Sequence, residues 1–275
     1  MGYDIEQMKA FAKQLRHDIV DMINFDKGRV GHLGGSCSMA DIVAALYCYK
    51  MNYDPKDYKK ADRDRLVFSK GHAVIVQYAA LCELGVLEKE EINTLKILGS
   101  RLQGHPESQK TPGVEANTGS LGQGLSIGLG MALGFKLDGL DSKAYVVMGD
   151  GELAEGQIWE AAMAAARFKC NNLIGIVDAN GVQANGKLVD RFDQGDQVAK
   201  FKAFGWNVIE LDGHNMEEIC KALDAADECK DKPTVLYAHT VKGKGVSFAE
   251  GNHKFHNGAL TEEQFYQAHK DIDAM

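Results

Sequence analysis

From Leu121 to His239 helical and extended periodicities follow one another without a break, and this alternation restricts the fold more than any other feature of the chain. A helix from about Leu121 to Leu137 precedes strand 144–148, helix 155–168, strand 173–178, helix 195–204, strand 206–211, helix 215–226 and strand 234–239. Strands joined through helices need right-handed crossovers, so the expected fold is α/β, a mostly parallel sheet with helices on both faces. Upstream, Ile5, Met8, Phe11, Leu15, Ile19 and Met22 recur at steps of three and four and predict an amphipathic helix. Gly28 to Gly35 reads as a loop, Ser38 or Ala40 to about Lys50 as a second helix, and "RLVFS" (65–69) as a short strand feeding a Gly71-His72 turn and a helix through Leu84. Residues 99–123 form a long loop, a kind of segment that in compact domains usually has a function. No linker or repeat divides residues 1–275, so one α/β domain is expected, with a C-terminal tail from about 240.

A formal charge of -8 leaves no basic stripe for a phosphate backbone, which argues against nucleic acid as a partner. The longest apolar runs, "AYVVM" and "LIGIV", fall far short of the roughly 20 residues that span a bilayer. The opening "MGYDIEQMKAFAKQLRHDIV" lacks the apolar core of a signal peptide, and six scattered cysteines form no C-x-x-C pair. The expectation is a cytoplasmic protein with reduced thiols and no membrane partner.

"AYVVM" runs into "GDGELAEG", which places Asp150 and Gly151 at the carboxyl end of a strand, where parallel sheets open their ligand crevice. The helix that follows points its N-terminal N–H groups at the same place and favours an anion there. The next strand ends in "ANGV", bringing Asn180 and the carbonyl of Val182 alongside. One carboxylate, one amide oxygen and one carbonyl suit a hard cation, and a diphosphate with water would complete the octahedron magnesium demands. A lone G-D-G is a weak signal, and other segments must support it.

They do so jointly. "GDGELAEG" followed by Asn180 resembles the thiamine-diphosphate motif, and "VGHLGGSCSMADIVAALY", "RDRLVFSKGHA", "GHPE" and "TGSLGQGLSIGLGMA" resemble transketolase segments in the same order. The resemblance covers about residues 5–260 and implies the thiamine-diphosphate-binding fold, with thiamine diphosphate and Mg2+ (Ca2+ or Mn2+ substituting) as cofactors. It assigns Asp150, Asn180 and the Val182 carbonyl to the metal; His72, Gly119, Ser120, Leu121, Gly151, Glu155, Asn180 and His256 to the cofactor; and His32, His105 and His256 to catalysis. Glu155 matches a glutamate that reaches across the subunit interface. A full transketolase is more than twice as long, so the chain resembles the N-terminal subunit of a split transketolase. A separate C-terminal subunit, in an α2β2 assembly, is then the implied partner. The implied reaction is transfer of a two-carbon ketol unit from a ketose, such as a sugar phosphate, to an aldose acceptor. The alternatives are a deoxyxylulose-phosphate synthase, a non-catalytic paralogue and a 2-oxo acid dehydrogenase subunit.

Four of the nine histidines follow a glycine: His32, His72, His105 and His214. The resemblance brings the first three together with His256 around cofactor and substrate, where imidazole can move protons near neutral pH. Gly213-His214 instead reads as a helix-entry loop with a structural role. His17 and His269 read as solvated or core-satisfied, His239 ends a strand that could line the crevice, and Lys242 and Lys244 read as solvated charges on a mobile loop.

Overall fold

The computed structural model describes residues 4–275; the first three residues of the N-terminal stretch lie outside it. Helix α1 (Ile5–Met22) opens with a capping box between Asp4 and Gln7 and buries the apolar stripe read from the sequence. The segment expected as a loop contains a short helix, α2 (Leu33–Cys37), and α3 (Ala40–Ala45) continues as a π turn through Lys50. Strand β1 (Arg65–Phe68) leads through a 3-10 turn at Gly71–Ala73 into α4 (Ile75–Glu83). Then follow α5 (Gln123–Leu137), β2 (Ala144–Gly149), α6 (Gly156–Arg167) and β3 (Leu173–Ala179). A small ribbon, β4 (Val182–Gln183) with β5 (Gly186–Lys187), precedes α7 (Leu188–Arg191) and α8 (Gln197–Ala203). The chain continues with β6 (Asn207–Asp212), α9 (Met216–Glu228), β7 (Thr234–His239) and α10 (Glu262–Asp273).

The main sheet has the order β1-β2-β3-β7-β6, and all four pairings are parallel. Alternation along each strand feeds two cores: Tyr145, Val147, Ile174 and Ile176 pack with α1, α3, α4, α9 and α10, while Val146, Met148, Leu173 and Val177 pack with α5, α6 and α8. Both faces are therefore covered, as a parallel sheet requires. The register sets Gly149 beside Asp178 and Asp178 beside Ala238, so three chain segments leave the sheet side by side at one edge. Residues 240–275, expected as a tail, include α10, which packs on α1. Gly31 and Gly258 exchange backbone hydrogen bonds of 3.0 Å in both directions, joining the segment before α2 to the one before α10.

Candidate active site

The carboxyl edge of β2 and β3 forms the floor of a cavity of about 470 Å³. Asp150 follows β2, and its two carboxylate oxygens accept backbone N–H groups from Gly151 at 2.7 Å and Gly181 at 2.6 Å. Burial first, and then the neighbouring Asp178 carboxylate, push its pKa up to about 6. Asn180 donates its amide to Asp178 Oδ2 at 2.9 Å, which turns the amide oxygen away from Asp178; that oxygen accepts the Val182 N–H at 3.0 Å.

Asp178 is fully buried and also accepts from Ser38 Oγ at 2.7 Å, from Thr240 Oγ1 and from Lys70 Nζ. Burial alone would raise its carboxyl, but the Lys70 ammonium and these hydroxyls outweigh it and hold the group below the usual range. Glu152, inside the G-D-G-E segment, is buried as well, accepting from Ser69 Oγ, Gly122 N and Gly149 N. It ties the ends of β1 and β2 to the entry of α5.

His32, His72, His105 and His256 all line this cavity. The ring centroid of His32 lies 5.0 Å from His72, 5.3 Å from His256 and 6.2 Å from His105. The Gly31–Gly258 bridge explains part of this convergence, because it holds the two loops carrying His32 and His256 together. Burial lowers His72 to about 2, helped by Lys70, lowers His32 to about 3, helped by His256, and lowers His256 to about 4, helped by Lys242. His105 is lowered too, by burial and by Lys96. A cluster of neutral imidazoles can donate and accept protons without repelling a cation. Gly119 has φ +141°, and a Cβ there would stand 2.6 Å from the His105 ring, so only glycine lets this loop pass the histidine.

Lys242 is not a solvated charge. It is 3% exposed, and its ammonium donates to the Val182 carbonyl at 3.0 Å and to His256 Nδ1 at 3.1 Å. Burial lowers it to about 8, with Asp178 acting in the opposite direction. A floor with two buried lysines, an acidic oxygen set and four neutral histidines is built for an anion accompanied by a hard cation.

The sequence matches the family described as the transketolase thiamine diphosphate binding domain over residues 7–273. The chain belongs to that family. It is 41% identical over 268 residues, 98% of this chain and 94% of the relative, to an apulose-4-phosphate transketolase subunit of Phocaeicola vulgatus. It is 42% identical over 244 residues, 89% of each, to a 6-deoxy-6-sulfo-D-fructose transketolase subunit of a Clostridium species. Among solved structures, the transketolase of Campylobacter jejuni superposes with a TM-score of 0.90 at 35% identity, covering 99% of this chain and 43% of that one. The chain thus spans well under half the length of that full transketolase.

The transketolase domain's cavity fits thiamine diphosphate. His32 Nδ1 is buried with no partner among the described residues, and a buried polar atom of this kind calls for a ligand group to pair with it. Each Asp150 oxygen keeps a free lone pair for a cation beside Asn180. Gly119, Leu121, Gly151 and Glu155 line the cavity, whereas Ser120 is exposed and does not. His239 lies outside against Glu210, and His17 stacks on His269 at 5.0 Å between α1 and α10. Lys70, Lys242, Asp178 and Glu152 are site residues that sequence reasoning missed. Lys70, Asp178 and Glu152 sit inside or beside the quoted motifs, which was the available signal; Lys242 lies in "HTVKGKGVSF", which resembles the glycine-rich segment leading to His256 but does not mark the lysine as buried.

Proposed function

We propose that this chain is the diphosphate-holding subunit of a split transketolase, which moves a two-carbon ketol unit from a ketose to an aldose together with a separate C-terminal subunit. The observation that carries the reading is the meeting of Asp150, Asn180, two buried lysines and four histidines on one cavity. Lys70, Lys242 and His72 would receive the diphosphate, and Asp150, Asn180 and the Val182 carbonyl would ligate Mg2+, with Ca2+ or Mn2+ able to substitute. Gly119, Leu121 and Gly151 would pack along the cofactor. Thiamine diphosphate, when bound, supplies the nucleophilic ring carbon the transfer needs.

The rest falls to this chain's own side chains. His32, His105 and His256 stay neutral at pH 7 and can exchange protons with the hydroxyl and carbonyl oxygens of the sugar. His256 is oriented for this: with Nδ1 accepting from Lys242, its ring proton sits on Nε2. Glu155, exposed at the start of α6 and on the cavity rim, would face the partner subunit. Closing such an interface by two-fold symmetry gives α2β2. The two relatives described above are specified for apulose 4-phosphate and a sulfonated fructose, and an anionic ketose of that type is the proposed donor class. Six unpaired cysteines suit work in the cytoplasm, and no helix of the described residues is long and apolar enough to cross a membrane.

Co-expression with the C-terminal subunit, followed by screening of ketose phosphates and sulfonates, tests the reading. Transfer is expected from the pair and none from this chain alone. Full turnover by the isolated chain would overturn the split assignment.

A further inference from the structure

His214, in the fourth glycine-histidine pair, stays outside the cavity but holds backbone that leads into it. Its Nε2 accepts the Val241 N–H at 2.8 Å, and its Nδ1 lies 2.8 Å from Asp41 Oδ2. A backbone N–H can only donate, so Nε2 carries no proton; the proton is on Nδ1, where Asp41 accepts it. The tautomer is fixed from both sides. Asp41 is gripped in turn by Arg16, whose two terminal nitrogens reach the two carboxylate oxygens at 3.1 Å and 2.5 Å. Burial would raise the Asp41 carboxyl, but Arg16 and His214 hold it below its usual range and keep it charged.

Arg16 is 1% exposed, and its Nε donates to the Lys244 carbonyl at 3.1 Å. The same buried unit therefore holds the loop at residue 241 and at residue 244, on either side of Lys242. Gly243 N–H adds a third tie, to the Gly34 carbonyl at 2.9 Å. The Lys242 stem passes over Gly34, where a Cβ would lie 2.8 Å from its Cγ. A buried ion pair adds little stability by itself and is more readily understood where it fixes a geometry.

We infer that Arg16, Asp41 and His214 form a positioning relay that presets the Lys242 ammonium for an anionic ligand before that ligand arrives. Lysine has a flexible stem, and backbone already fixed on both sides leaves less freedom to lose on binding. The inference rests on the reading that this cavity receives a diphosphate.

Two variants of the full chain separate positioning from general packing. His214→Asn keeps a nitrogen where Nδ1 meets Asp41 but has no atom that reaches Val241; His214→Gln offers its carbonyl oxygen at the far end. Calorimetry with magnesium thiamine diphosphate is expected to show binding weakened about tenfold in the Asn variant and largely restored in the Gln variant, a step equal to about 1.4 kcal/mol. Hydrogen exchange at the Val241 amide of the free wild-type protein needs no variant and is expected to be slow already. Rapid exchange there, or an Asn variant that binds as tightly as wild type, would overturn the relay. Failure of the wild type itself to bind magnesium thiamine diphosphate would overturn the cofactor reading instead, and the exchange measurement would still decide whether the loop is preset.

Discussion

Lys242 Nζ stands 3.1 Å from His256 Nδ1, a buried ammonium donating to a neutral ring. The contact lowers His256 after burial has already done so. Replacing Lys242 with Met should raise the His256 pKa part of the way toward 6.5, because burial remains, and should weaken magnesium thiamine diphosphate binding by at least about tenfold, since a charge-assisted contact is worth roughly 1.5–3 kcal/mol. Ring-proton titration by NMR and calorimetry read the two effects. An unchanged affinity would remove Lys242 from the anion site.

The buried histidines set the acid side of stability. His32, His72 and His256 titrate near 3, 2 and 4 in the folded chain and near 6.5 when unfolded, so their contribution is complete above about pH 6.5 and lost below it. Asp18 and Asp150 work in the opposite direction, because burial raises them to about 7 and about 6 and the folded chain takes up their protons first. By pH 5 the unfolded state has bound about three protons on these groups against about two in the folded state, so their sum makes stability decline gently with acidity. Urea midpoints across this range measure it, and a rise toward pH 5 would contradict the assignment.

Asp150→Asn removes a carboxylate whose charge burial and the Asp178 carboxylate both oppose. Asn keeps only one acceptor for the two backbone N–H groups that Asp150 holds and turns its amide N–H at the other, a loss that offsets the relieved charge, so the metal-free variant should melt within a few degrees of wild type at pH 7.5. Its acid decline should also be steeper, one opposing proton uptake being gone. Magnesium with thiamine diphosphate should stabilise the wild type and leave the variant unchanged. Equal stabilisation of both would take Asp150 out of the metal site.

Lys96 has φ +57°, a left-handed backbone rare for a side chain of its length, and it has no carboxylate partner among the described residues. Its stem crosses Gly104, next to His105, and its charge lowers both His105 and His32. Lys96→Gly should stabilise the chain by up to about 1 kcal/mol through relief of the backbone. In the assembled enzyme both Lys96→Gly and Lys96→Met should raise KM for an anionic sugar several-fold with kcat largely kept. Loss of kcat at constant KM would count against a role in attracting substrate.

The parallel sheet was legible because short continuous apolar runs such as "AYVVM" and "LIGIV" are what strands buried on both faces need, and they are bounded by glycine and asparagine; β7 falls on 234–239 as read. Helix α2 was not, because "LGGSC" carries two poor helix formers, and what holds it is burial of all five of its residues. The convergence of His32, His72, His105 and His256 could be read from their motifs, and the structure supplies the tie, the Gly31–Gly258 bridge, that brings the His256 loop to His32. Lys242 was misread because nothing within its glycine-rich segment signals burial. Its cover comes from Gly34, Val182 and His256, two of them far away in sequence. Ser120 shows the converse, a residue inside a strong motif whose side chain faces solvent.

One carboxylate, that of Asp178, gathers Ser38, Lys70, Asn180 and Thr240 from four separate stretches, with Ser38 140 positions away along the chain. Closing loops of that length is slow, and parallel strands cannot pair until their crossovers are made. The floor of the cavity must therefore be among the last parts to assemble during refolding, after β1, β2, β3 and β7 have docked. A nascent chain would have native-like helices long before it had anywhere to put a diphosphate, and cofactor supplied early in refolding should leave the rate of the main phase unchanged while slowing the unfolding that follows.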